Sequence, residues 1–103
     1  MCGTPLFWHI TKQMIQSFFI GDKEINLPFI QGGMGVGISL SGLASAVANE
    51  GGIGVISSAG LGLLYRQSPR DYLMDCIWGL KEEIRKSREA TRGNIGVNIM
   101  VAL

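Results

Sequence analysis

An α/β fold, with parallel strands following an opening β-hairpin, is what the order of apolar and glycine-rich segments in this chain predicts. Three observations carry it. A short apolar segment over 28–30 opens into Gln31-Gly32-Gly33-Met34-Gly35-Val36-Gly37, and a second over 53–56 ends in Ser57-Ser58-Ala59-Gly60. Between them, residues 40–49 show a small-residue helical pattern that closes on Gly51-Gly52. The order strand, glycine-rich loop, helix, strand, glycine-rich loop describes a βαβ unit with both loops at one end.

Taken in order, residues 1–16 have weak periodicity and form an N-terminal extension to which no function is assigned. Residues 17–29 pass from Phe19 and Ile20 through the polar turn Gly21-Asp22-Lys23 to Ile25 and Leu27, a hairpin able to cover the bottom of a barrel. Residues 28–31 are the first buried strand. The helix that follows is expected to turn Leu43, Ala44, Val47 and Ala48 inward, with Ser39 or Ser41 as N-cap and Gly51 and Gly52 ending it. Residues 53–56 make the second strand.

Ser68-Pro69-Arg70-Asp71 reads as a helix start, with Ser68 as N-cap, Pro69 at the first helical position and Asp71 reaching back to the cap. That helix is expected to run to about Arg92 and stop at Gly93. Leu73, Ile77, Leu80 and Ile84 then form one apolar stripe against a sheet, and Glu82 and Lys86 an ion pair on the solvated face. The third strand spans 95–100 and carries a polar Asn98. A buried amide without partners costs about 1–3 kcal/mol, so Asn98 is expected to bond a neighbouring loop or a ligand. If the parallel sheet closes into a barrel, residues 31–34, residues 57–60 and Asn98 share the carboxyl-end face, where such barrels hold their sites.

Length and composition bound the function. A chain of 103 residues is one domain at most, and its apolar ending Asn98-Ile99-Met100-Val101-Ala102-Leu103 reads as the front part of a longer protein. A net charge of +1, with no basic run, gives no case for a nucleic-acid partner. Glycine, serine and charge interrupt every apolar run before the roughly 18–20 residues needed to cross a bilayer, so no membrane partner is expected. His9, Lys12, Gln13 and Gln16 break the N-terminal apolar stretch where a signal peptide needs continuity. Cys2 and Cys76 form no CxxC pair, which points to a reducing cytoplasm.

The phosphate-binding fingerprints fail. From Gly33 the third glycine position of the dinucleotide motif is Ile38, from Gly35 it is Leu40, and no Walker-type loop occurs. His9 is the single histidine and has no metal-spaced partner, so neither a metal site nor a serine–histidine pair can be built, and no catalytic residue is assigned. Backbone-rich loops beside small hydroxyls and one amide suit a flat heterocyclic cofactor such as a flavin. Plainer roles stand beside that reading: Gly32, Gly33 and Gly35 suit a tight turn, Met34 core filling, Ser57 and Ser58 local backbone bonds, and Asn98 a loop cap.

Leu27-Pro28-Phe29-Ile30-Gln31-Gly32-Gly33-Met34, then Leu43-Ala44-Ser45-Ala46-Val47-Ala48-Asn49-Glu50-Gly51-Gly52-Ile53-Gly54-Val55-Ile56, then Gly96-Val97-Asn98-Ile99-Met100, together resemble the start of a nitronate monooxygenase. The resemblance implies an FMN-dependent TIM barrel that oxidises alkyl nitronates with O2. Residues 17–103 would then be a partial FMN-binding domain holding the first three barrel strands. Gln31, Gly32, Gly33 and Met34 would lie along the flavin, Asn98 would bond it, and Ser57 and Ser58 are weaker candidates. The family's catalytic histidine and phosphate loops are expected downstream of Leu103, so these residues alone are expected to be inactive. Two alternatives share this front end. One is an FMN-dependent enoyl-acyl carrier protein reductase; the other is a noncatalytic interaction fragment that self-associates through an exposed sheet edge.

Overall fold

Two short strands open the described chain, which in this computed structural model comprises residues 16–66 and 71–100. β1 (Phe18–Ile20) and β2 (Lys23–Ile25) pair antiparallel, with Phe18 opposite Ile25 and Ile20 opposite Lys23, as the hairpin pattern predicts. Gly21 takes φ +60° at the first of the two linking positions, a geometry that a side chain resists and a tight hairpin requires. Ile25 and Leu27 are buried. The Leu27 N–H donates to Gly51 O at 3.1 Å and the Asn94 amide donates to Glu24 O at 3.1 Å, which seats the hairpin beneath the amino-terminal ends of the later strands.

The strand expected over 28–31 contracts to one parallel bridge, Ile30 with Ile53. Gln31 N–H donates to Ile53 O at 3.1 Å and Ile53 N–H to Phe29 O at 2.9 Å. Further along, the Gln31 side chain replaces its backbone: Oε1 accepts from Val55 N–H at 3.1 Å and Nε2 donates to Val55 O at 3.0 Å. A primary amide offers the same donor and acceptor as a peptide group. The rung is kept while the main chain leaves into the glycine loop.

β3 (Ile53–Ser57) and β4 (Asn94–Asn98) run parallel in register, from Ile53 against Asn94 to Ser57 against Asn98. β4 therefore begins one residue before the expected 95–100 span and ends two residues short of it. Among the described residues three helices accompany them: α1 (Ser41–Asn49), α2 (Leu61–Leu64) and α3 (Tyr72–Ala90). The described residues thus form a mixed α/β unit, a hairpin plus a parallel pair. Its small apolar core lies where α1 meets β3, with Ala44, Ala48 and Ile56 buried. A Cβ on Gly54 would come within 1.8 Å of Ala44 O, so the helix rests directly on the strand backbone.

That close approach corrects the inward face expected for α1. Ala44, Ser45 and Ala48 are its buried residues, whereas Leu43 is exposed, because only small side chains fit between helix and strand. The capping expectation also changes: Leu40 occupies the N-cap position and has no side-chain bond to give. Glu83, from α3, supplies it instead, its Oε1 accepting from Ser41 N–H at 2.7 Å.

The third helix departs further from expectation. Asp71 caps it, its carboxylate accepting from Met74 N–H at 3.0 Å, and the helix starts at Tyr72; the expected cap Ser68, with Pro69 and Arg70, lies outside the described residues. Ala90 ends it, with Thr91 as C-cap, short of Arg92. Its buried residues are Asp75, Gly79, Glu83 and Ser87, a stripe at four-residue steps. Gly79 and Ser87 are small enough to bring the helices together, and a Cβ on Gly79 would meet Tyr65 Cδ2 at 2.8 Å. The apolar stripe expected against a sheet faces out, with Leu73 69% exposed and Ile77 and Ile84 also exposed. Glu82 bonds Arg85 at 2.9 Å, not Lys86; Lys86 donates to the Tyr65 hydroxyl at 2.8 Å and lies 3.6 Å from Glu83.

Glu83 is only 3% exposed and its second oxygen accepts from the Tyr65 hydroxyl. Burial pushes the carboxyl up, but the Tyr65 hydroxyl and the Ser41 N–H outweigh it and hold the group below its ordinary value of 4.5. Two measurements follow from this packing. Gly54→Ala should destabilise the protein by about 3 kcal/mol in denaturant unfolding, while Gly42→Ala, where a Cβ meets nothing within 4 Å, should gain about 0.5 kcal/mol. Because native Glu83 holds its proton more weakly than the unfolded chain does, its contribution is complete above pH 4.5 and is lost as pH falls through the lowered native pKa. Glu83→Gln should therefore flatten the stability profile on the acid side of pH 4.5.

Candidate functional site

The register of β3 and β4 decides which side chains meet. Partners across a parallel pair point to the same face, and residues two apart along a strand share it. Gly54 turns toward α1, so Val55, Ser57, Gly96 and Asn98 occupy the opposite face. Ser57 and Asn98 lie side by side at the carboxyl-terminal ends. The loop leaving Gln31 folds over this end: a Cβ on Gly33 would lie 2.5 Å from Asn98 Cβ, and one on Gly35 would lie 2.8 Å from Ser57 Oγ. Both positions exclude any side chain.

The two glycine loops also lock to each other. The Gly35 position abuts Ala59 Cβ at 2.8 Å, and a Cβ on Gly60 would meet Val36 at 2.7 Å. Gln31, Gly32, Gly33, Met34, Ser57, Ser58 and Asn98 are thus brought to one end of the sheet, but their roles divide.

Gln31 is committed to Val55 and to Ser39 Oγ, to which Nε2 donates at 2.9 Å. Met34 has both backbone groups bound by Ser39, the N–H donating to Oγ and the carbonyl accepting from Ser39 N–H, each at 2.8 Å, and leaves its side chain exposed. Ser58 spends its hydroxyl and its N–H on Asn98 O, at 2.9 and 3.1 Å. Ser57 is buried, its Oγ accepting from Ala59 N–H at 3.4 Å.

Open positions remain at Gly32 and Asn98. A Cβ on Gly32 would meet nothing within 4 Å. The Asn98 side chain is exposed, which corrects the expectation of a buried amide: Gly33 covers its Cβ, but no hydrogen bond engages its amide among the described residues. The site thus offers a free donor–acceptor pair beside a backbone surface stripped of side chains. Such an arrangement can grip the polar edge of a flat ring and lie against its face, and among the described residues it has no group placed for proton transfer.

Ser39 organises this loop, and the sequence did not single it out beyond a capping role. It is fully buried, its Oγ accepts from Met34 N–H and Gln31 Nε2 and donates to Gly32 O at 3.3 Å, and its carbonyl accepts from Ser57 N–H at 2.8 Å. One serine therefore ties the first glycine loop to itself and to the end of β3. The four-residue recurrence of Asp75, Gly79, Glu83 and Ser87 was the signal available for Glu83. Among the described residues no group of His, Cys, Asp and Glu is placed to hold a metal ion, and no helix is long and apolar enough to cross a membrane.

The family model described as nitronate monooxygenase matches residues 16–103. No curated protein matches the chain.

Ser39→Ala should destabilise the protein by about 2 kcal/mol, because it strands the Met34 N–H and one Gln31 donor in a buried loop. Chemical denaturation measures the loss, and amide hydrogen exchange should speed up at Met34 before it does in β3.

Proposed function

The chain belongs to the nitronate monooxygenase family, and from that premise we propose that it contributes the first βα units of a TIM barrel that binds FMN and oxidises alkyl nitronates with O2. The family is one of oxidoreductases. Supporting the barrel reading, residues 29–31, β3 and β4 run parallel in chain order. The observation that carries the cofactor reading is Asn98, an amide with no bond among the described residues, seated against Gly33 at the carboxyl end of the sheet.

The residues present fit a flavin. Asn98 would donate to and accept from the polar edge of the ring, Gly32 and Gly33 would let the ring come close to the backbone, and the exposed Met34 side chain would shield it from water. Gln31, Ser57 and Ser58 would hold these groups in place through the bonds described above. FMN, when bound, supplies the electron transfer and the reaction with oxygen. This segment's part is to orient the ring and keep its face dry. A cytoplasmic setting and small-molecule partners belong to the same proposal.

The test uses the full-length protein. It should purify with FMN and consume O2 when given an alkyl nitronate without a reduced nicotinamide cofactor. Oxidation of a reduced nicotinamide with an enoyl thioester, and no nitronate-dependent oxygen uptake, would replace this reading with the reductase one. Asn98→Ala should weaken FMN binding about tenfold, the equivalent of one lost hydrogen bond, with the fold intact by circular dichroism.

A further inference from the structure

We propose that Glu83, on the far side of the sheet from the glycine loop, is a positioning residue for that loop and acts through Ser41 and Ser39. The inference rests on the flavin reading only for what the loop holds. α1 begins at Ser41 behind a leucine that cannot cap it, so its exposed N-terminal N–H groups need an acceptor from elsewhere. Glu83 provides one across 42 positions of sequence, with Oε1 at 2.7 Å from Ser41 N. A carboxylate is the favoured group at that end of a helix.

The carboxylate is itself held in place. The Tyr65 hydroxyl bonds its other oxygen, and Lys86 donates to the same hydroxyl at 2.8 Å from the solvent side. Glu83 thus has one orientation, fixed by α2's C-cap residue Tyr65 and by its own helix.

Two residues before Ser41 stands Ser39, which bonds Gly32, Met34, Gln31 and Ser57. No flexible segment separates the two serines, because Ala44 N–H donates to Leu40 O at 3.0 Å and Leu40 N–H to Ile38 O at 3.1 Å. A shift of the α1 start therefore moves Ser39, and Ser39 carries Gly32 and Met34 with it.

The experiment compares full-length Glu83→Ala, Glu83→Gln and Tyr65→Phe with the parent in three readouts: FMN affinity by fluorescence quenching, apoprotein melting temperature, and amide hydrogen exchange at Ser41 and Met34. Glu83→Ala should weaken FMN about tenfold and speed exchange at both amides. Glu83→Gln keeps an oxygen for Ser41 N–H and should restore affinity to within about threefold of the parent. A lower melting temperature with parental FMN affinity and parental Met34 exchange would overturn the proposal, leaving Glu83 as a helix stabiliser only. If Glu83→Ala does not fold, Tyr65→Phe, which removes the bond that orients the carboxylate, decides: it should weaken FMN about threefold and speed exchange at Met34, and parental affinity with parental Met34 exchange in that variant would overturn the proposal equally. If the parent itself binds no FMN, the flavin reading fails, and Met34 exchange alone decides whether Glu83 governs the loop.

Discussion

The in-register pairing of β3 with β4 fixes where the remaining groups of this chain can act. With Ile53 opposite Asn94, every later pair is determined, and Ser57 comes to stand beside Asn98 at the carboxyl-terminal end. A slip of one residue would turn Asn98 to the helix side and place Val97 beneath Gly33, since strand side chains alternate faces. The hairpin helps to hold that register from below, because Asn94, the first residue of β4, is bonded to Glu24, and Gly51, just before β3, is bonded to Leu27. The amino-terminal end of the sheet is thus a fastening and the carboxyl-terminal end is left to present groups.

Above that sheet the chain depends on the absence of side chains. Gly54 lets α1 lie on β3, Gly33 lets the first loop lie on Asn98, and Gly35 lets it lie on Ser57. These contacts draw the backbone close, and closeness makes hydrogen bonding obligatory, since an unpaired polar group in such a place costs about 1–3 kcal/mol. Ser39 answers that demand for the loop and Glu83 for the start of α1. The polar residues of greatest structural consequence are accordingly those buried where the helix, the loop and the strand converge.

Much of the architecture was legible because it follows from local chemistry. Gly21 marks the hairpin turn, the apolar runs mark β3 and β4, and the glycines after Gln31 mark the loop that covers them. The meeting of Gly33 with Asn98 and of Gly35 with Ser57 agrees with grouping the 31–34 and 57–60 loops with Asn98. What was not legible depends on partners distant in sequence. A serine after a glycine loop and before a helix reads as an N-cap, and nothing local reveals that Ser39 instead bonds back to Met34 and Gln31. Glu83 lies beside the apolar stripe of α3, and periodicity favours that stripe as the buried face; the small residues Gly79 and Ser87 reverse the choice by letting the neighbouring face pack more closely. The amide of Gln31 reads as a ligand group, whereas the same chemistry suits it to replace a strand rung.

The division between held and free groups bears on what this chain would contribute to the flavin site proposed for it. A cofactor that carries its own redox chemistry needs from the surrounding chain a fixed pose, a dry face and polar contacts at its edge. Side chains with rotamer freedom serve the first need poorly, since each loses entropy on being ordered. Backbone pinned by a buried serine serves it well, and a single short amide such as Asn98, anchored on a strand and covered at its Cβ by Gly33, would supply an edge contact with few torsions to freeze. The scarcity of titratable groups around this end of the sheet among the described residues therefore matches the proposed role of positioning a ring rather than moving protons. On this view the buried carboxylate on the opposite face serves the same end. Its oxygen would hold the start of α1 still, and the still helix would keep a loop of glycines in place.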